Sequence, residues 1–301
     1  MSDVTSPRRP APLALLVAMR PQQWTKNALV FAVPLAAGRL RELAVLRDTL
    51  GAFVAFCLAA SATYLLNDAG DVEADRQHPR KRNRPIAAGE LSPTVARVVA
   101  AVLLVASLVL ALAIDRNLAI TVAAYVGLTT AYTLWLKHQP ILDIVAVATG
   151  FVLRAVAGAT ATSLPISEWF FVVASFGALL MVTGKREGEL DELGEDASST
   201  RGILAVYSPS FLTSIRSVAV AVVLVGYCLW AFDSAQVAQA SQAPIFFQLS
   251  IVPFAVAILR YALLIDQGHG GEPERLIFSD RMLQLAGASW AIIYGYGVYL
   301  A

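Results

Sequence analysis

Residues Ala52–Leu66 read AFVAFCLAASATYLL, and Asn67–Pro79, directly after them, read NDAGDVEADRQHP. An uncharged stretch suited to the interior of a bilayer ends abruptly in four carboxylates, Asp68, Asp71, Glu73 and Asp75. Five basic residues follow: Arg76, Arg80, Lys81, Arg82 and Arg84. This density of opposite charge at the end of a membrane segment bears both on how the chain folds and on where its chemistry sits.

The rest of the chain agrees with a lipid setting. Of its 301 residues, 57% are hydrophobic and 15% charged, whereas a soluble domain carries about 25% charged residues. The mean hydropathy is +0.63. A multi-pass protein of the cell membrane is expected. The Pro- and Arg-rich first dozen residues run into an apolar segment longer than the core of a secretory leader, so no cleavable signal is expected. The net charge of +1 is no argument either way about nucleic acid, and no such partner is expected. The oligomeric state stays open, a homo-oligomer included. Cys57 and Cys228 both lie in apolar runs and read as buried small hydrophobes rather than a disulfide. His78, His138 and His269 show no ligand spacing, which argues against transition-metal chemistry.

A membrane-spanning helix needs about 20 mostly apolar residues. Nine segments fit: 22–38, 45–66, 93–114, 117–136, 140–163, 167–184, 210–232, 244–265 and 281–300. The first has a polar start in Arg20, Gln22, Gln23 and Lys26. Ser92-Pro93 and Ser208-Pro209 each place a capping residue before a proline at the first helical position. The expected architecture is an all-α integral membrane bundle of nine transmembrane helices in a single domain, 1–301. Two connections, 67–91 and 185–209, are far longer than the others and emerge on the side of the N-terminus. That side also holds Arg8, Arg9, Lys137 and Arg275, against Arg39, Arg41, Arg47 and Arg116 on the other. The positive-inside rule therefore places both long loops in the cytoplasm and the C-terminus outside.

If the second helix runs on past Leu66, its wheel sorts the acids. With Asp68 at zero, Asp71 falls at about −60° and Asp75 at about −20°, while Glu73 falls at about 140° on the opposite side. Three aspartates then share a stripe, with Asn67 at its border. Like charges so crowded repel unless a cation sits among them. Aspartate oxygens are hard ligands, and Mg²⁺ takes one or two carboxylates with water and substrate phosphate completing its shell. The alternative is a solvated loop whose acids pair with the basic residues that follow. The basic run around Arg84 suits neutralisation of phosphate, or anchoring to anionic headgroups. Acids for magnesium beside bases for phosphate suit a diphosphate substrate.

The pattern Asn67-Asp68-x-x-Asp71-x-x-x-Asp75 followed by Arg84-Pro85-Ile86 resembles the first signature of the UbiA superfamily of intramembrane prenyltransferases. Nine helices with two long cytoplasmic loops resemble that fold. Tyr132-Thr133-Leu134-Trp135-Leu136-Lys137 and Leu153-Arg154-Ala155-Val156-Ala157-Gly158-Ala159 are similar to further landmarks of the family. The resemblance implies a cytoplasm-facing active site with a second aspartate-rich motif after the sixth helix. Here that place reads Gly184-Lys185-Arg186-Glu187-Gly188-Glu189-Leu190-Asp191. This departure, with Arg20-Pro21-Gln22-Gln23-Trp24-Thr25-Lys26-Asn27, is similar to a branch whose donor is phosphoribosyl diphosphate. Its acceptor is a polyprenyl phosphate, and its product feeds cell-wall arabinan.

The roles implied are Mg²⁺ on Asp68, Asp71 and Asp75, with Asn67 as ligand or orienter. Arg20, Lys26, Arg84, Lys137, Lys185 and Arg186 are candidates for the substrate phosphates. Glu189 and Asp191 either complete a metal shell, orient ribose hydroxyls or are solvated, and Tyr132 either bonds a phosphate or is an interface aromatic. Arg20 and Lys26 beside Trp24 also suit headgroup anchoring. Arg154 lies about 14 residues, or about 21 Å, into the fifth helix. A charge at that depth faces the protein interior, tying helices together or lining a polar cavity. Asp143 is about 16 Å from it along the helix and is no direct partner. Two rivals stand beside this reading. One is an ordinary prenyltransferase joining a prenyl diphosphate to an aromatic or haem-like acceptor; the other is a transporter or membrane scaffold.

Overall fold

The structure is a computed structural model and describes residues 9–79, 81–193, 203–237, 244–271, 276 and 278–299. Arg8, Arg80 and Arg275 lie outside these. Every regular element among the described residues is helical. A short helix α1 (Ala11–Ala18) leads into a 3₁₀ helix (Pro21–Phe31) and α2 (Ala32–Ala36). There follow α3 (Leu43–Gly70), α4 (Val72–Gln77), α5 (Pro93–Ile114), α6 (Arg116–Leu134), α7 (Leu142–Thr162) and α8 (Glu168–Leu193). The chain continues through α9 (Pro209–Val237), α10 (Pro244–Leu249), α11 (Ile251–Leu264) and α12 (Arg281–Tyr299).

The helix starts follow from local chemistry. The Ser92 hydroxyl accepts the Thr94 N–H at 3.3 Å, with Pro93 opening α5. Asp115 accepts the N–H groups of Asn117 and Leu118 at 2.7 and 3.3 Å, capping α6 so that it turns straight back from α5. The Ser208 hydroxyl accepts the Phe211 N–H at 3.2 Å before α9. Each cap satisfies backbone donors that the first helical turn leaves without partners.

Seven helices among the described residues are long and apolar enough to cross a membrane, so this is a multi-pass membrane protein. The expectation of nine departs from this at both ends of the chain. Segment 22–38 is no single α-helix: Arg20 stands in the left-handed region at φ 54°, and residues 21–31 are 3₁₀ before five α-helical residues. Pro21, the polar run behind it and Pro34 explain the interruption. The last helix, α12, is diluted by Gln284, Ser289, three glycines and three tyrosines.

The bundle is built around α3 and α7. Each has 56% of its apolar window buried, against 17% for α5 on the periphery. Their inward faces are small: Ala52, Ala55, Ala59 and Ala62 on α3, Ala155, Ala157, Gly158 and Ala161 on α7. Between membrane helices close backbone contact replaces hydrophobic exclusion, so small residues mark the packed faces. Gly158 is the extreme case, because a Cβ there would lie 1.8 Å from the Val30 carbonyl oxygen. Short connections alternate helix direction, which brings the ends of α3, α6 and α8 and the starts of α5, α7 and α9 to one end of the bundle. Both polar clusters described next lie there.

Candidate active site

The first cluster forms at the end of α3. Asp71 interrupts the helix at φ −96°, ψ 14°, yet the helical bonds persist across it: its N–H reaches the Asn67 carbonyl at 2.9 Å and its carbonyl takes the Asp75 N–H at 2.8 Å. Asp68 and Asp75, two turns apart, therefore keep one face, and both are only 2% exposed. Glu73 points away and pairs with Arg76 at 2.8 Å, as the wheel predicts. The expectation of three converging aspartates is not met. Half-buried Asp71 makes no side-chain bond or ion pair among the described residues, and no three His, Cys, Asp or Glu side chains converge there on a metal position.

What fills the space between the acids is arginine. Nη1 of Arg84 donates to Asp75 at 2.7 Å and to Asp68 at 3.1 Å. Nη2 of Arg20 spans both Asp68 oxygens at 2.7 and 2.8 Å, and its guanidinium lies over the Tyr64 ring at 4.7 Å. Lys81 stands 3.9 Å from Asp75. Pairing with the basic residues that follow, the alternative to a bound cation, is met by Arg84 and Lys81, although the acids are buried and not solvated. Arg20 joins them from 48 positions away. Arg84 is aimed inward because Ile86, two residues on, is buried in a cluster with Leu65, Val72 and Leu91.

A divalent ion was expected here, and the donors fit one in kind. Two buried carboxylates already converge on a shared positive position, the one the Arg84 guanidinium holds. Magnesium typically takes one or two carboxylates, not an all-protein cage. Asp68 and Asp75 bring two such carboxylates together, and Asp71 does not join them.

A second cluster joins α6, α7 and α8. Arg186, 4% exposed, donates from Nε to Asp143 at 3.1 Å, from Nη1 to Glu189 at 2.6 Å and from Nη2 to the Tyr132 hydroxyl at 3.3 Å. Tyr207, near the end of the second long loop, donates to Asp143 at 2.5 Å and accepts the Ile141 N–H at 2.6 Å. Ile141 is β-branched and yet holds φ 69°, a costly backbone for such a residue. Burial, and then the bond to the Asp143 carboxylate, push the Tyr207 phenol up to about 12. Arg186, Glu189 and Tyr132, three of the residues put forward for substrate, are thus brought together. Lys185 is exposed on α8, Lys26 is half-buried on the 3₁₀ helix, and Lys137 is half-buried in the α6–α7 connector. Asn67 is half-buried at the edge of the first cluster.

The sequence reading missed Asp143 as the partner of Arg186, and it missed Tyr207 and Tyr64 entirely. None carries a periodic or motif signal, since each matters only through a distant contact. A third group was also unforeseen: buried Arg216 shares Asp266 at 2.7 Å and Glu187 at 3.4 Å. It locks the turn after α11 against Gly188 of α8, where a Cβ would come 2.2 Å from the Gly271 nitrogen. Arg154 is buried and indeed does not pair with Asp143; its partners are Asn27, Tyr125 and the Gly150 carbonyl.

Residues 28–285 match the UbiA prenyltransferase family. The chain belongs to that family. Among UbiA relatives, it is 43% identical over 295 residues to the decaprenyl-phosphate phosphoribosyltransferase of Mycolicibacterium smegmatis, covering 95% of this chain and 93% of that one. It is 42% identical to the protein of that name from Mycobacterium tuberculosis, covering 98% and 97%. Among solved structures, a UbiA homologue from Archaeoglobus fulgidus bound to DMAPP and Mg²⁺ superposes with a TM-score of 0.68 at 19% identity, over 95% of this chain and 98% of that one. That likeness establishes the shared all-helical UbiA fold.

Proposed function

We propose that this UbiA protein transfers the 5-phosphoribosyl group of phosphoribosyl diphosphate to a polyprenyl phosphate, decaprenyl phosphate above all, with release of pyrophosphate. The observation that carries the reading is identity of 42–43% over almost the full length of relatives named for that reaction. The α8 end supports it as well. Where the family resemblance implies a second acid motif, Arg186 is buried among Asp143, Glu189 and Tyr132.

In this reading the donor diphosphate lies at the end of α3, on the cytoplasmic side of one catalytic domain. Asp68 and Asp75 would hold Mg²⁺ there, which lowers the charge on the departing pyrophosphate. Arg84 and Arg20, within reach of the same acids, turn their remaining N–H groups to phosphate oxygens. The C1–O bond to diphosphate breaks and a lipid-phosphate oxygen bonds to C1. That oxygen is already ionised at neutral pH, so no strong base is required. The work of the side chains is positioning and charge stabilisation. Arg186 and Tyr132, with Lys185 beside them, would receive the other phosphate or the ribose hydroxyls. The product is an activated pentose donor suited to cell-wall arabinan synthesis.

The test offers purified protein and Mg²⁺ two mixtures. One holds labelled phosphoribosyl diphosphate with polyprenyl phosphate; the other holds a labelled prenyl diphosphate with 4-hydroxybenzoate. Lipid-soluble product in the first is expected. Conversion in the second mixture alone would replace this reading with ordinary prenyl transfer.

A further inference from the structure

Two sequence motifs are left almost unused by the mechanism above: Leu153–Ala159, and Arg20–Asn27 apart from Arg20 itself. The structure joins them. Residues 21–31 form an eleven-residue 3₁₀ helix, although such runs rarely exceed 3–4 residues because their hydrogen bonds are poorly aligned. A run this long needs ties from outside, and it has them at every third position, the 3₁₀ repeat. Trp24 donates to the Ser61 hydroxyl at 3.0 Å; buried Asn27 donates to the Cys57 sulfur at 3.3 Å; buried Val30 rests its carbonyl on Gly158.

Arg154 holds the middle tie. Its Nε donates to Asn27 Oδ1 at 2.8 Å, Nη1 to the Gly150 carbonyl at 2.6 Å and Nη2 to the Tyr125 hydroxyl at 3.0 Å. Its guanidinium also lies 4.8 Å from the Tyr125 ring centroid. All three hydrogen-bond partners are uncharged. A buried charge is costly, and only the planar fork of arginine spans three partners at once.

We propose that Arg154 is a positioning residue: by gripping Asn27 it holds the 3₁₀ segment at full length, and that length carries Arg20 to Asp68. Over its ten steps the segment spans about 20 Å, against about 15 Å as an α-helix. An α-helix would also turn Trp24, Asn27 and Val30 off their common face. The far end is pinned where Val30 meets Gly158, so a relaxation falls on the Arg20 end. Arg20 already stands in the left-handed region, held by Asp68 and Tyr64. The functional weight of this contact rests on the donor site proposed above; the geometry does not.

The experiment uses the full chain in lipid nanodiscs, with Cys228→Ala and spin labels at exposed Gln22 and Glu73. Arg154→Gln and Asn27→Ala are expected to lengthen the label separation, by about 4 Å at full relaxation over the eight steps from Val30 to Gln22. Asn27→Asp, which gives Arg154 a carboxylate to grip, keeps the original distance. In unlabelled protein the KM for phosphoribosyl diphosphate rises about tenfold in Arg154→Gln and Asn27→Ala with kcat within about twofold, and an Arg20→Ala background removes the difference. An unchanged separation in folded Asn27→Ala overturns the proposal, as does an Asn27→Asp shift equal to that of Asn27→Ala. Because distances are read without turnover, a wrong substrate assignment leaves that result standing.

Discussion

Replacing Arg84 with methionine probes the acid pair most directly. Nη1 of Arg84 lies 3.1 Å from Asp68 Oδ1 and 2.7 Å from Asp75 Oδ2. Those oxygens are thus within about 6 Å, where unit charges repel by roughly 3 kcal/mol at an effective dielectric of about 20. Without Arg84, Asp68 keeps Arg20 and Asp75, among the described residues, keeps only Lys81 at 3.9 Å. The Arg84 side chain is 26% exposed, so screening reduces the loss to about 2 kcal/mol. At roughly 2 °C per kcal/mol for a chain of this size, the melting midpoint in chelator falls by about 4 °C. Magnesium then has a vacated position to enter with no guanidinium to displace. Its stabilising effect should exceed that on the unmodified protein by the same 2 kcal/mol, or about 30-fold in affinity. Thermal unfolding in nanodiscs, with EDTA and across a magnesium titration, reads both quantities. If Arg84→Met is as stable as the parent in EDTA, or gains no more than the parent from magnesium, the shared cation position is wrongly drawn.

Three further outcomes follow from the same geometry. Asp68→Asn and Asp75→Asn should each lower kcat/KM for phosphoribosyl diphosphate at least about 100-fold, while Asp71→Asn costs less than about tenfold and Glu73→Gln less than about twofold; equal loss at Glu73 would contradict the observed face. Gly158→Ala forces a methyl against the Val30 carbonyl and should destabilise the fold by about 3 kcal/mol or more, visible as poor recovery from membranes and early unfolding; a normal melting curve would show that α7 and the 3₁₀ segment can separate. The Tyr207 phenol is held above its usual value, so its contribution is complete below about pH 10 and is lost as pH rises toward 12; Tyr207→Phe, at a cost of about 1–3 kcal/mol, should abolish that alkaline loss in a stability–pH profile.

Much of the site was legible as pattern. The stripe of Asp68 and Asp75 and the exclusion of Glu73 follow from helical periodicity, because local backbone bonds carry the helix past Asp71. The caps at Ser92 and Ser208 were readable for the same reason, as a side chain and the next helical turn are neighbours in the chain. Arg154 announced itself through its depth in an apolar run. The expected trio, by contrast, needed ideal helical angles at Asp71, which stands at φ −96°, ψ 14°, and the unbroken first span needed Pro21 and Arg20 to be harmless.

By itself, then, the sequence determined a helical membrane bundle, the end of α3 as its charged centre, and which acids share a face, since each is a matter of periodicity and composition. Only the tertiary structure decided that Arg84 and Arg20 hold those acids, that Asp143 and Tyr207 seat Arg186, and that Asn27 meets Arg154. These contacts join residues 9 to 127 positions apart. Their partners are set by which helices pack together, and alanine- and glycine-lined faces allow many pairings until the whole bundle closes.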